Sequence, residues 1–237
     1  MTTLTIADRD MLYSLSWYMS ARQTALRTAL SYRAPLSVTE LADMRVHYSG
    51  YFLNLLAAID IVPNMPMLES EQFEKQLQTR LVFEGFQDGV NNYSYIRELR
   101  NAIVHRGLDI TSAAHFDDNF PMILAEPKVQ NKKGTKTFLA FDKYLLDIIA
   151  KCEFVVCPLM LDCLNAAGIF DATVDSEADL QEYRNSVKQS HAMPEQVKAM
   201  ALRAEINPQW IVDVHSATMT RLREKLAPYD VTMAFPR

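Results

Sequence analysis

Apolar residues recur every three or four positions along most of the chain, which is the spacing of one face of an α-helix. This pattern predicts a first helix over 7–32 and a second over 38–62. Ser37 and Glu40, three residues apart, form a predicted capping box at the start of the second helix. The apolar stripes are Leu12, Leu15, Met19, Leu26 and Leu30, widened by Trp17 and Tyr18, and then Leu41, Met44, Tyr48, Phe52, Leu55, Ile59 and Val62.

Further helices follow from the same spacing. One begins at Ser70 and is expected to end near Gly89, and the next spans 92–106, where Ile96, Leu99 and Ile103 form the apolar stripe. A helix over 142–168 contains Pro158, which is expected to bend or restart it. Three more helices are predicted near the C-terminus, with starts at a cap formed by 176–179, at 194 and at 208.

One segment has the pattern of strands instead. Residues 122–129 and 136–141 flank the turn-forming run Asn131, Lys132, Lys133 and Gly134, which predicts a β-hairpin. The sequence therefore predicts an all-α helical bundle over 1–170 with a short inserted β-hairpin near 121–141, followed by a C-terminal helical extension over 171–237.

The composition agrees with a helical protein. Of 237 residues only 6 are glycine while 12 are methionine, which favours helices over strands and turns. The net charge of -5 argues against attraction of the whole surface to nucleic acid, so RNA binding would depend on a local basic patch. Because the three cysteines lie on one segment without the spacing of a metal or redox motif, we expect free thiols and neither a metal site nor a cofactor.

The chain is expected to be cytoplasmic and not to span a membrane. Residues 1–10 lack a basic leader followed by an apolar run. The most apolar window, 152–170, is interrupted by Glu153, Pro158, Asp162 and Asn165, which a span through lipid would not tolerate. This window is therefore predicted to be a buried helix.

The chemistry of the chain concentrates at the end of the helix over 92–106. Arg97, Asn101 and His105 recur every four residues and so share one polar row, roughly opposite the apolar stripe, with Arg100 on the flank of that row. Histidine is the side chain best suited to proton transfer near neutral pH. A guanidinium matches the charge and the paired oxygens of a phosphate. Together these groups are suited to cleaving a phosphodiester.

At these residues the chain resembles the HEPN family, small all-helical domains marked by an arginine, a polar residue directly after it, and a histidine a few residues further on. Here the motif reads Arg100, Asn101 and His105, with four residues between the arginine and the histidine. The resemblance implies a HEPN-type bundle that acts as a metal-independent endoribonuclease. It also implies a homodimer in which the two motifs meet in one cleft, as in bacterial toxin and antiphage defence systems.

The resemblance also implies a role for each residue of the motif. Arg100 would bind or stabilise the phosphate, Asn101 would orient it, and His105 would move the proton. The product would carry a 2',3'-cyclic phosphate, because His105 would activate the ribose 2'-hydroxyl. An antitoxin or a regulatory protein is a further expected partner of a protein of this kind.

Other basic residues are candidates for holding the RNA. Arg97 and Arg106 lie on the motif helix beside the three central residues, and Lys132 and Lys133 occupy the tip of the predicted hairpin. Lysines at such a tip could clamp a nucleic-acid backbone. They are also common at hairpin tips for solubility alone.

Two other functions remain open from the sequence. Gly107 stands where many active HEPN members carry a tyrosine, so a catalytically silent module that binds nucleotide or protein is the first alternative. The helices on either side of 206–208 have the pattern of a helix-turn-helix, which makes a DNA-binding regulator the second alternative. In that case Gln209, Asp213 and Ser216 would face the DNA groove, with Arg221 and Arg223 further along.

Overall fold

A computed structural model describes residues 3–66, 68 and 70–231, and most of them are helical. The prediction of a mainly helical fold is therefore confirmed. The helices are α1 (Ile6–Ala29), α2 (Val38–Ile61), α3 (Ser70–Arg80), α4 (Gly89–Arg106), α5 (Leu145–Ala166), α6 (Ser176–Gln189), α7 (Glu195–Arg203) and α8 (Pro208–Lys225). The strands are β1 (Thr3–Leu4), β2 (Ala114–Asp117), β3 (Phe120–Ile123), β4 (Lys128–Gln130), β5 (Thr137–Leu139) and β6 (Thr173–Val174).

Capping boxes fix the starts of the two longest helices. The Ser37 hydroxyl accepts the amide of Glu40 at the start of α2, and the Glu40 carboxylate accepts the amide of Ser37 at 2.7 Å, as the sequence predicts. Thr5 and Asp8 form the same arrangement at the start of α1. Each box satisfies amides that the first helical turn leaves without partners.

The core lies between α1, α2, α4 and α5, and the C-terminal helix α8 adds to it. Met219, Leu222 and Leu226 join the same buried cluster as the stripe residues of α1 and α2. Two residues that were assigned to those stripes lie outside the core, because Trp17 is 61% exposed and Leu41 is 42% exposed. Trp17 lies on the side of α1 opposite Leu15 and Met19, because two residues turn the helix by about 200°. Leu41 shares the face of Met44 but lies in the first turn of α2, where residues 37–43 are all exposed.

The segment between α4 and α5 forms two hairpins, whereas a single one was expected near 121–141. β4 pairs antiparallel with β5, which confirms a hairpin around the Lys132 turn. β3, however, pairs with β2 and not with the strand over 136–141. The turn between β2 and β3 consists of Asp118 and Asn119, both with positive φ, a conformation that Asp and Asn tolerate and that tight hairpins need.

The end of α3 differs from the prediction, and Pro158 does not restart α5. α3 ends at Arg80 and not near Gly89, and the side-chain amide of Asn92 donates to the carbonyls of Leu81 and Gln87 in the turn that follows. α5 continues through Pro158 as one helix. None of the described helices combines the length and the apolar character that a membrane crossing needs.

The C-terminal helices are attached to the rest of the chain through α8 and β6. α8 packs along α1, and the backbone of β6 pairs in parallel with that of β1. α6 begins with Asp175 as its N-cap, one residue before the predicted cap. α7 packs on α6 and contains no buried residue.

A buried ion pair joins α1, α5 and the end of α8. The guanidinium of Arg22 donates to both carboxylate oxygens of Glu153 at 2.8 Å, and both side chains are fully buried. Arg22 also donates to the carbonyl of Lys225, and the Glu153 carboxylate accepts from the Tyr51 hydroxyl and from the amide of Tyr229. These bonds satisfy the charges that burial would otherwise make very costly.

Candidate functional site

The motif helix α4 ends where the sequence predicts. Gly107 has a φ of 68°, which glycine adopts without strain, and its amide donates to the carbonyl of Ala102. The guanidinium of Arg45 on α2 donates to the carbonyls of Gly107 and Leu108 at 3.1 and 3.4 Å. The helix end is thus held in place from α2, and the residues before it have defined positions.

Two of the three motif residues line one groove on the surface of α4. This groove, called the α4 groove below, has a volume of about 400 Å³ and is lined by Glu98, Asn101, His105 and Arg106 of α4 and by Lys132 from the β4–β5 turn. His105 is exposed, and Asn101 is half-buried. The arrangement offers a proton-transfer group, an amide, an arginine that is paired with Glu98, and an exposed lysine within one concave surface.

Hydrogen bonds orient the polar side chains of the α4 groove. The Asn101 amide donates to the Glu98 carboxylate at 3.2 Å. The guanidinium of Arg106 donates to the carbonyl of Gln130 on β4 at 2.6 Å and to the carbonyl of Glu98 at 3.0 Å, and it lies 3.6 Å from the Glu98 carboxylate. Arg106 therefore ties the hairpin to α4, and Lys132 at the tip of the hairpin reaches the groove as a result.

Arg100 faces α2 and not the lining of the α4 groove. Its guanidinium pairs with the carboxylate of Asp60 at 3.1 Å, and the arginine side chain is 27% exposed. His105 lies five positions after Arg100, which corresponds to a rotation of roughly 140° about the helix axis. The two side chains of the motif thus lie on either side of Asn101 within one protomer.

Arg97 and Lys133 are also placed away from the α4 groove. The guanidinium carbon of Arg97 lies 5.5 Å above the centre of the Tyr93 ring, a cation–π geometry. Lys133 is exposed in the β4–β5 turn beside Lys132, whereas the groove lining includes Lys132. Of the four candidate substrate-binding residues, the structure therefore brings Arg106 and Lys132 to His105.

Two acidic residues of the site were missed by the sequence analysis. Glu98 lies three residues before Asn101 and seven before His105, so its spacing on the helix already placed it on the same face. Asp60 is forty residues from Arg100 along the chain. No local pattern indicates that pairing, because it depends on how α2 and α4 cross.

Burial governs the chemistry of the cysteines. Cys152 and Cys157 are buried in α5 and Cys163 is partly exposed, and all three are free thiols. Burial raises the pKa of the Cys157 thiol to about 12, although Arg22 beside it acts in the opposite direction.

Within the part of the chain that the structure describes, no group of three or more His, Cys, Asp and Glu side chains could hold a metal ion.

The predicted helix-turn-helix corresponds to α7 and α8. Two arginines of α8 contact the protein itself, because Arg221 donates to the Ser20 hydroxyl at 3.2 Å and Arg223 lies over the Phe170 ring. α8 packs along α1 and buries His215, Met219 and Leu222. α8 is the helix that would have to enter a DNA groove, and these contacts already occupy several of its side chains.

Comparison of this chain with protein-family models, with curated proteins and with solved structures found no match.

Proposed function

We propose that the chain is a metal-independent endoribonuclease of HEPN type that acts as a homodimer. The observation that carries this proposal is the α4 groove, which brings Asn101, His105, Arg106 and Lys132 together at the end of the helix that carries Arg100. A proton-transfer group among phosphate-binding cations is what the cleavage of RNA by its own 2'-hydroxyl requires.

In the proposed reaction, His105 of one protomer removes the proton of a ribose 2'-hydroxyl. The oxygen attacks the adjacent phosphorus. Because Arg100 lies outside the α4 groove of its own protomer, the proposal requires the dimer to bring an Arg100 to the phosphorane, where it stabilises the growing negative charge. The bond to the 5'-oxygen then breaks, and the partner's His105 donates a proton to that oxygen. One proton is taken and one is returned, and the products are a 2',3'-cyclic phosphate and a free 5'-hydroxyl.

A dimer would supply the second histidine, and the surface of α2 and α4 supports this part of the proposal. Arg45 bonded to Gly107 and Asp60 bonded to Arg100 mark the two ends of this surface. Val46 and Leu53 lie fourteen and seven residues before Asp60 on α2, and Val104 lies four residues after Arg100 on α4, so all three share the helix faces of that pair. They are 64%, 39% and 47% exposed. Exposed apolar side chains grouped on one face are typical of an interface between subunits.

Cleavage of a single-stranded RNA oligonucleotide in EDTA tests the reaction. We expect fragments that end in a 2',3'-cyclic phosphate, and we expect no cleavage of the same oligonucleotide carrying a 2'-O-methyl group at the scissile position. Cleavage of the methylated substrate, or loss of activity on chelation, would contradict the mechanism. RNA binding without cleavage would favour the silent module instead.

The dimer is tested separately by sedimentation of the Val104→Glu variant. A charge in the centre of the proposed interface should give monomers and abolish cleavage, because each site would then have one histidine. The control is Val82→Glu, since Val82 is 58% exposed in the segment after α3. A Val104→Glu dimer, or an active monomer, argues against the composite site.

We further propose that the chain is a toxin or a defence protein and that an antitoxin or a regulatory protein inhibits it. Expression of the chain alone should then arrest growth and degrade bulk RNA, whereas the His105→Ala variant should do neither. Intact growth and intact RNA with the unaltered chain would count against the toxin assignment and leave the chemistry to be judged in vitro.

A further inference from the structure

A second concave surface lies between α1, α6 and α8. It has a volume of about 390 Å³, and each of the three helices contributes one ridge of side chains to it. Most of the wall is apolar or aromatic, formed by Ile6, Tyr13, Tyr183, Trp210, Ile211 and Val214. Trp210 and Tyr183 are 61% and 40% exposed, so large rings stand open to solvent here. This surface is called the aromatic groove below.

The aromatic groove carries a net negative charge. At its floor Arg9 and Asp179 form a bidentate ion pair, which cancels their charges. Asp10 and Glu182, also in the lining, are exposed, and neither forms an ion pair within the described ranges. Two uncompensated carboxylates therefore border the exposed rings.

The segment between α6 and α8 adds to the unpartnered apolar surface. α7 packs on α6, which forms one wall of the groove, yet α7 buries none of its own residues. Its side chains Val197 and Met200 are 47% and 74% exposed. A nine-residue helix with no buried residue draws little stability from its own chain, because most helical stability in proteins comes from packing of an apolar face.

We propose that the aromatic groove binds a cationic amphipathic segment of another protein. The rings of Trp210 and Tyr183 accept its apolar side chains and the alkyl stems of lysine or arginine, and Asp10 and Glu182 pair with the charged ends. Aromatic side chains at the centre of a groove with charges at its border are also the usual anatomy of a protein–protein binding site.

The negative charge of the aromatic groove favours a cationic segment over the other possible occupants. A nucleic acid or an anionic lipid surface would be repelled by Asp10 and Glu182. A second copy of this chain related by a two-fold axis would place one acidic groove against another. A small cation would leave most of the exposed Trp210 ring uncovered, because the groove is open along one side.

The test uses a fluorescein-labelled model peptide of leucine and lysine in a helical repeat, with fluorescence anisotropy as the readout. The lysine peptide should bind, and a peptide with glutamate in place of lysine should not. Trp210→Ala should weaken binding about tenfold or more, as central aromatic contacts do. The matched control is Trp17→Ala, because Trp17 is also 61% exposed and does not belong to the lining.

The acidic residues are tested in the same assay. The Asp10→Asn/Glu182→Gln double variant should weaken binding about tenfold and reduce its salt dependence. The Glu84→Gln/Glu224→Gln variant removes two exposed carboxylates elsewhere and should bind as the parent does. Equal losses in the two double variants would show attraction to the net charge alone and overturn the proposal.

Three further outcomes would also overturn it. These are absence of binding by the lysine peptide, displacement of that peptide by spermidine at equal concentration, and loss of self-association in the Trp210→Ala variant. The second outcome would assign the groove to small cations, and the third would assign it to a second copy of the chain. Since the aromatic groove shares no residue with the α4 groove, its test does not depend on ribonuclease activity.

Discussion

Arg100 and Asp60 form an ion pair at 3.1 Å that links the motif helix to α2. The aspartate side chain is 47% exposed, so water and ions screen the pair, and pairs of this kind contribute at most about 1 kcal/mol. An RNA phosphate that reaches Arg100 in the proposed reaction has to compete with this carboxylate.

Replacement of Asp60 by asparagine should therefore strengthen RNA binding. The variant removes the competing charge, and a gain of up to about fivefold corresponds to the loss of roughly 1 kcal/mol of competition. Affinity is measured with 2'-O-methyl RNA, which the proposed reaction cannot cleave.

The control for this experiment is Asp162→Asn. Asp162 pairs with Arg80 at 3.0 Å and is 59% exposed, so the control removes the same charge from a similar pair elsewhere. Equal affinities of the two variants would show that only net charge matters. Weaker binding by Asp60→Asn would mean that Asp60 orients Arg100 and does not compete for it.

Lys132 and Lys133 should differ although they are neighbours. Lys132 lines the α4 groove beside His105, whereas Lys133 lies in the adjoining turn. Lys132→Ala should weaken RNA binding and lower the slope of log affinity against log salt by about 0.7, the value for one phosphate contact on a single strand. Lys133→Ala is the matched control. Equal losses of affinity in both variants would show attraction to the net charge alone, and unchanged affinity in both would return the two lysines to a solubility role.

The three cysteines should react in a fixed order. The thiolate is the reactive form, and burial raises the pKa of Cys157 to about 12 and that of Cys152 above its ordinary value. Iodoacetamide at pH 8 should modify Cys163 in the folded protein and the other two only in urea. Peptide mass spectrometry identifies the modified residue, and Cys163→Ser should leave the folded protein unlabelled. Rapid labelling of Cys157 without denaturant would contradict the buried position.

Removal of one partner of the buried Arg22–Glu153 pair should strongly destabilise the bundle. Glu153→Gln leaves the buried guanidinium without its counter-charge, which costs about 3–5 kcal/mol of unfolding free energy. Asp162→Asn, at an exposed pair, should cost less than about 1 kcal/mol. Urea unfolding measures both, and a cost below about 1 kcal/mol for Glu153→Gln would show that the pair is replaceable.

The helices could be predicted because apolar periodicity and capping residues are local signals. Ser37 with Glu40 and the left-handed Gly107 fix two helix ends within a few residues of sequence. The pairing of β2 with β3 could not be predicted, because the only sequence signal for it is the two-residue turn. Asp118 and Asn119 identify the turn, but they do not say which flanking segments pair.

Only those parts of the candidate site that lie on one face of a single helix could be predicted from the sequence. Asn101 and His105 share a groove because four residues make about one helical turn. The contact of Arg100 with Asp60 depends on the crossing of two helices. The full burial of Arg22 and Glu153 was equally out of reach, because charged residues on helices usually face solvent.

The cleavage rates of His105→Ala and Arg100→Ala decide whether these two residues carry out the proposed reaction. His105 is exposed, so its truncation should cost within about 0.5 kcal/mol of stability and the variant should fold.

The control is His47→Ala, since the His47 ring on α2 packs near Tyr32. Each motif variant should lose about 100-fold or more in rate, with the control equal to the parent. The double variant should be little slower than either single one. Full cleavage by a folded His105→Ala variant would show that this helix face is only a solvated surface.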